Sequence, residues 1–384
     1  MAIQSMITPT ATESAGTPAW EPLTRPGELM QRIPRTSAAA VAVERGRTAV
    51  RQILTGTDDR LLVIAGPCSV HDPETVIEYA SRLKEIADSL SDELLIVMRT
   101  YVEKPRTVVG WPGLAVAPDL DKPPDPERGL RLARALMAEI AGLGLPIAAE
   151  WLTTVAPAYL ADLVAWGCIG ARTVESQIHR HRASSLPMPI GMKNRTDGAV
   201  QPAVDAIRSA AHPHGFLGVC PSGATGFLRS AGNSDCHLVL RGGTEGPNWY
   251  LAAIEAAQRL PTTAGLLGRL VVDASHGNSA KDQERQAATA RAIAEQVRAG
   301  GWLIRGIMLE CFLTEGRQEP VPGHPLVRGK SITDECLGWP TTAEVLTELA
   351  SAVKDRRGHT VNRGRPAQAR ASFKTTTHVK DCRV

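Results

Sequence analysis

Eight short apolar runs in this chain each stop on a polar or ionisable residue. LLVIAGPCS ends near Cys68, LLIVMR at Arg99, PIAAE at Glu150 and CIGAR at Arg172. PIGMKN carries Lys193, HLVLRGG Arg241, LVVDASH His276 and IRGIMLE Glu310. Apolar runs of this length, without polar alternation, suit strands buried on both faces of a parallel sheet. Helix-length amphipathic stretches separate most of them, which is the βα alternation of a barrel or a doubly wound sheet. In a (β/α)8 barrel the C-terminal strand ends converge on one mouth. The chain is therefore expected to be α/β, a TIM barrel with a ring of Arg, Lys, Cys, His and Glu at that mouth.

The 384 residues are long enough for one barrel with additions. Apolar residues make up 43% and charged residues 22%, a globular balance, and no uninterrupted apolar stretch is long enough to span a bilayer. The first 30 residues lack a basic stretch followed by an apolar core, so no secretory signal is expected. The seven cysteines form no CxxC pair, which predicts a reduced, cytoplasmic protein. The net charge of +3 hides a basic end: from Lys354 to Val384 nine Lys/Arg face two Asp/Glu. That tail has no heptad or zinc pattern and almost no aromatics, so it reads as a solvated, disordered extension with no nucleic-acid role.

Along the chain, residues 1–36 read as a largely irregular extension, 37–357 as the barrel domain and 358–384 as the tail. Helices are expected over 37–55, 73–90, 127–143, 155–166, 199–211, 248–259, 281–299 and 341–353. A Pro-rich loop runs from Thr100 to Arg128, and a long loop at a strand end is usually functional. The segment from Gly215 to Asp235 reads as a hairpin-like insertion before the sixth barrel strand, which ends at Arg241.

Arg99, Lys104, Arg106, Arg172, Lys193 and Arg241 all fall at or just past expected strand ends. Guanidinium forks suit phosphate and carboxylate, and lysine adds a mobile charge and a proton. So many cations at one mouth call for a multiply anionic substrate. Cys68, His276, Glu310 and Asp334 offer thiolate, imidazole and carboxylate donors for a divalent metal, but no local spacing supports them; Cys68 could equally be a packed thiol and His276 a general base. No GxSxG, Walker A or GxGxxG motif appears, which disfavours hydrolase and nucleotide-binding readings.

The segments LLVIAGPCSVHDP, MRTYVEKPRTVVGWPGL, GCIGARTVESQIHR, PIGMKNRTDG, GNSDCHLVLRGG, VVDASHGNSAKDQ and GKSITDECLGW, in register from Arg45 to Arg357, resemble class I 3-deoxy-D-arabino-heptulosonate 7-phosphate (DAHP) synthases of the aroma-sensitive bacterial and fungal type. The resemblance implies a decorated (β/α)8 barrel that condenses phosphoenolpyruvate with erythrose 4-phosphate, the first step of aromatic biosynthesis. It implies Cys68, His276, Glu310 and Asp334 as ligands of a divalent ion (manganese, iron, cobalt or zinc). Arg172 and Arg241 are implied on the phosphoenolpyruvate phosphate, with Arg99, Lys104 and Lys193 around its carboxylate and reacting end. Arg106 and Thr107 are implied on the aldose phosphate. Lys104 would donate a proton to the aldehyde oxygen, and Glu150 would orient or deprotonate the attacking water, its alternative being a counter-ion to Arg172 or Lys193. His71 is expected to buttress the Cys68 loop. A homodimer or homotetramer is implied.

The sequence departs from this family around its aromatic amino acid inhibitor pocket. The family's serines are replaced by Pro187 and Gly218, beside a wall carrying Trp151, Thr154 and Ala158. These changes predict weak feedback inhibition, as would suit supply of a specialised pathway. Competing readings are the related octulosonate phosphate synthesis from arabinose 5-phosphate, and a phosphosugar-binding regulatory protein without turnover.

Overall fold

The computed structural model describes residues 20–321 and 323–363. Eight parallel strands close into a barrel: β1 (Leu61–Gly66), β2 (Leu94–Arg99), β3 (Ile147–Glu150), β4 (Trp166–Ile169), β5 (Ile190–Lys193), β8 (His237–Leu240), β9 (Leu270–Asp273) and β10 (Ile304–Glu310). The ring closes where β1 pairs with β10, Leu62 opposite Gly306 through Gly66 opposite Glu310. Between β5 and β8 the chain makes an antiparallel ribbon, β6 (Gly215–Val219) and β7 (Thr225–Arg229), the insertion expected before the sixth barrel strand. After β10, two short strands, β11 (Thr314–Arg317) and β12 (Lys330–Ser331), pair outside the barrel.

The outer helices are α2 (Ser37–Thr55), α3 (Pro73–Ser89), α4 (Pro126–Gly142), α5 (Ala156–Leu160), α6 (Gln177–Ser185), α7 (Gln201–Ala210), α8 (Leu251–Thr263), α9 (Gln283–Arg298) and α10 (Trp339–Arg363), preceded by α1 (Pro26–Arg32). Local chemistry starts several of them. Thr36 caps α2 by accepting from Ala39 N at 3.1 Å, and Asp125 caps α4 from Arg128 N at 2.9 Å with Pro126 in its first turn. Helix α2 ends on Gly56 in the left-handed conformation (φ 80°), which a glycine adopts without steric cost.

Four expectations need correction. The helix expected over 155–166 is one turn, α5, followed by a short 3-10 turn, because Trp166 already belongs to β4. The spacer between Arg172 and Lys193 contains α6, hidden by its poor amphipathicity and by Pro187 and Pro189 just after it. The extension before residue 37 holds α1, whose Gly27 N donates to Pro221 O in the hairpin turn at 2.7 Å. Helix α10 runs past residue 357 to Arg363. The disorder expected for residues 1–19 and for 364–384 lies outside the described residues. No helix among the described residues is long and apolar enough to cross a membrane, and the six cysteines among them are unpaired.

Strand periodicity sorts the apolar side chains into two cores. Leu62 and Ile64 of β1, Val97 of β2, Ala148 of β3, Trp166 and Cys168 of β4, Val239 of β8, Val271 of β9 and Met308 of β10 fill the barrel interior. Val50, Ile53 and Leu54 of α2 join that cluster and plug the N-terminal end of the barrel. The alternate residues, such as Leu61, Ile96, Ile147, Ile190, Leu238, Val272 and Ile307, face the helices. Gly191 of β5 holds an interior position because an added Cβ would lie 2.5 Å from the Trp166 ring and 2.6 Å from Val239.

Candidate active site

Stepping by two along each strand from these interior positions leads to its C-terminal end: Ile64 to Gly66 and the Cys68 turn, Val97 to Arg99, Ala148 to Glu150, Gly191 to Lys193, Val239 to Arg241, Val271 to Asp273 and Met308 to Glu310. The charged residues are thus the top layer of the same inward-facing set. They surround an open cavity lined by Arg99, Lys104, Arg106, Glu150, Arg172, Lys193, Arg241, His276, Lys281 and Asp334.

At its floor the Arg99 guanidinium donates to Glu310 Oε1 at 2.7 Å and to Pro67 O at 3.1 Å, and lies 3.7 Å over the Tyr101 ring. Both members of the ion pair are almost wholly buried. Burial opposes charge on Arg99, but Tyr101, Glu310 and Cys68 outweigh it and raise its pKa. Glu310 is held by its own backbone: its N–H donates to Gln286 Oε1 at 2.7 Å and its carbonyl accepts from Gln286 Nε2 at 2.9 Å.

Cys68 Sγ, a Glu310 oxygen and an Asp334 oxygen lie within 4.8 Å of one another. Their loops are tied by Cys68 N to Cys336 Sγ at 3.4 Å and by Ser69 Oγ with Thr333 Oγ1 at 2.8 Å. His276 Nε2 faces this group, 3.7 Å from Glu310 Oε1, outside the 4.8 Å cluster itself. Lys104 Nζ donates to Cys68 Sγ at 2.8 Å and approaches Asp334 Oδ2 at 3.5 Å, while Lys281 Nζ donates to Asp334 Oδ1 at 3.0 Å. Burial would lower the Lys104 pKa, yet Cys68, Glu310 and Asp334 raise it, so the ammonium stays protonated. Burial would raise the Asp334 pKa, but Lys104 and Lys281 hold it below the usual carboxylate range. One thiol and two carboxylates converging, with an imidazole beside them, are a donor set that fits a divalent transition metal.

Across the cavity, Arg172 Nε donates to Thr107 Oγ1 at 2.9 Å, joining the fourth strand's loop to the Lys104–Thr107 turn. Arg106 Nε is anchored on Trp111 O at 2.9 Å. Arg241 is fixed through its backbone, N to Asn194 Oδ1 at 2.7 Å, within a chain of Asn194, Asn248 and Asn278. Burial first, and Arg172 second among the lowering influences, press the Arg241 pKa down despite Asp273, and an arriving anion would relieve both. Lys193 Nζ pairs with Asp273 Oδ2 at 2.9 Å, and Glu150 acts on Lys193 through its charge without a direct ion pair among the described residues. Glu150 stands against Gly170, where an added Cβ would strike its Oε1. His71 lies edge-on to Phe312 at 6.1 Å and does not line the cavity.

His276, Ala280 and Lys281 adopt positive φ (56°, 54° and 66°), conformations that L-residues sustain only when their surroundings impose them. The residues that sequence reasoning passed over are Asp273, Lys281, Gln286 and the asparagine chain. Asp273 carried a readable signal: it is two residues beyond interior Val271.

The family model for the DAHP synthetase I family matches residues 35–347. The chain belongs to the DAHP synthetase I family. It is 48% identical to phospho-2-dehydro-3-deoxyheptonate aldolase of Corynebacterium glutamicum, over 88% of this chain and 94% of that protein. It is 47% identical to the Phe-sensitive enzyme of that name from Escherichia coli, over 87% and 95%. The solved structure of the Francisella tularensis aldolase superposes with a TM-score of 0.87 at 42% identity, covering 88% of this chain and 99% of that one. Family membership agrees with the barrel, its hairpin and the charged mouth.

Proposed function

We propose that this chain joins phosphoenolpyruvate to erythrose 4-phosphate and water, giving DAHP and phosphate. The observation that carries the reading is the cation-rich mouth standing over a thiol–carboxylate cluster, in a member of this family. Arg172 and Arg241 suit the phosphoenolpyruvate phosphate, Arg99 and Lys193 its carboxylate end, and Arg106 with Thr107 the aldose phosphate. Cys68, His276, Glu310 and Asp334 would hold the divalent ion, whose chemistry is to polarise the aldehyde oxygen.

The chain's own residues supply the rest. Lys104, kept protonated by its anionic neighbours, can pass a proton to the aldehyde oxygen as the enol carbon attacks and the new C–C bond forms. The central carbon of phosphoenolpyruvate then becomes electron-poor. Glu150, unpaired at the rim, is placed to orient a water and take its proton as it adds there. Phosphate leaves with cleavage of its C–O bond, its charge met by Arg172 and Arg241.

We extend the proposal to regulation: aromatic amino acids inhibit this protein weakly or not at all. Behind the hairpin, Arg182 occupies the space facing Gly218. Its Nη2 donates to Thr154 O at 2.5 Å, would lie 3.5 Å from a Gly218 Cβ, and its guanidinium is 5.5 Å from the Phe216 ring. Pro187, at the other expected serine, offers no hydroxyl, and its carbonyl accepts from Arg51 at 2.8 Å.

Phosphate release from phosphoenolpyruvate tests the reaction, with and without erythrose 4-phosphate, in chelated and manganese-restored protein. Release that requires both aldose and metal is expected. Release with arabinose 5-phosphate instead would select the octulosonate reaction, and binding without release under any metal would overturn catalysis. Inhibition by sub-millimolar phenylalanine, tyrosine or tryptophan would overturn the regulatory half.

A further inference from the structure

Asp273 is fully buried at the end of β9 and belongs to neither the proposed ligand set nor the cavity lining. Its two oxygens divide their work. Oδ1 accepts from Ser275 Oγ at 2.6 Å and from Ser275 N at 3.0 Å. Oδ2 lies 2.9 Å from Lys193 Nζ and 3.0 Å from His276 Nδ1, close ion-pair contacts that are off the hydrogen-bond direction.

Ser275 Oγ lies 2.6 Å from His276 Nδ1 as well. A hydroxyl has one hydrogen, and an ionised carboxylate can only accept. The Ser275 hydrogen is therefore spent on Asp273, and Ser275 Oγ must accept from a hydrogen on His276 Nδ1. The network assigns the tautomer: Nδ1 is protonated, and the lone pair of a neutral ring is on Nε2, the nitrogen facing Glu310. The positive φ of His276 aims the ring this way at a conformational cost the network must hold.

We propose that Asp273, acting through Ser275, is the positioning residue of this site, presenting His276 Nε2 to the metal while pinning the Lys193 ammonium on the phosphoenolpyruvate side. One buried carboxylate thus links the two halves of the reaction. This rests on the metal site proposed above, and the outer partner of a metal-bound imidazole typically sets affinity by about 10–100-fold.

Cobalt(II) titration of the metal-free full chain, followed by visible absorption, reads the imidazole directly; steady-state kinetics reads Lys193. Asp273→Asn is expected to weaken cobalt binding by about 10–100-fold, to alter the ligand-field bands, and to raise KM for phosphoenolpyruvate more than for the aldose. Ser275→Ala should weaken cobalt binding without moving that KM, and Ser275→Thr, which keeps the hydroxyl, should restore it. Wild-type cobalt affinity and spectrum in folded Asp273→Asn would overturn the proposal. Should that variant not fold, equal cobalt binding by Ser275→Ala and wild type would overturn it. A wild type that binds cobalt yet releases no phosphate would refute the reaction while leaving the positioning result readable.

Discussion

The two ends of the barrel interior put their buried polar groups to different use. At the C-terminal mouth, charges are held in contact with one another: Arg99 with Glu310, Lys193 with Asp273, Lys104 with Asp334. At the N-terminal end a packed histidine stays neutral beside the Arg269–Asp235 ion pair. Trp166 Nε1 donates to His237 Nε2 at 3.0 Å, and His237 Nδ1 donates to Asp235 O at 3.0 Å, beneath an apolar plug from α2. Burial drives the His237 pKa down to about 4. Buried charge that is balanced by other charge is costly to assemble, but it leaves strong fields where a substrate can use them. A neutral, packed base does no chemistry and carries stability instead.

That contrast is open to direct attack. The largest effect is expected from Glu310→Ala, which strands Arg99 in the interior: about 3–5 kcal/mol of stability by denaturant unfolding, together with loss of phosphate release. Trp166→Ala at the base should cost a similar 3–5 kcal/mol while leaving turnover per folded molecule near wild type. If turnover collapses in protein shown to be folded, the two ends are not separable.

A pH series sharpens the point. The unfolded His237 takes a proton below its ordinary 6.5, but the buried ring does so only near 4, so stability is lost as pH falls across that window. The loss should approach about 3 kcal/mol. Urea unfolding of wild type against His237→Gln at pH 7 and 4.5 isolates it, the variant showing the shallower decline. Gly191→Ala forces a methyl into Trp166 and should cost about 1–3 kcal/mol. The smallest change is expected from Arg291→Ala, which removes exposed pairs to Glu344 and Glu348 and should shift stability by less than about 1 kcal/mol.

The strands and most helices were legible because burial on both faces writes long apolar runs, and because Asp72, Asp125 and Asp282 cap α3, α4 and α9. The weakly amphipathic α6 was not, since it shows no helical stripe, and α5 is shorter than its run suggests. The mouth residues were found by their places at run ends. Asp273 in LVVDASH was legible only through strand alternation, since the two-residue period from Val271 turns it inward.

By itself, the sequence determined the parallel barrel, the hairpin's place and which ionisable residues close each strand, because strand burial and alternation are local properties of the chain. Only the tertiary structure decided which charges neighbour which. Lys193 goes to Asp273 and not to Glu150, and Lys104 meets Cys68, which is 36 residues away. Those pairings depend on barrel closure and loop path, which bring together groups separated by most of the chain, as with Arg99 and Glu310. No short-range pattern encodes a distance of that kind.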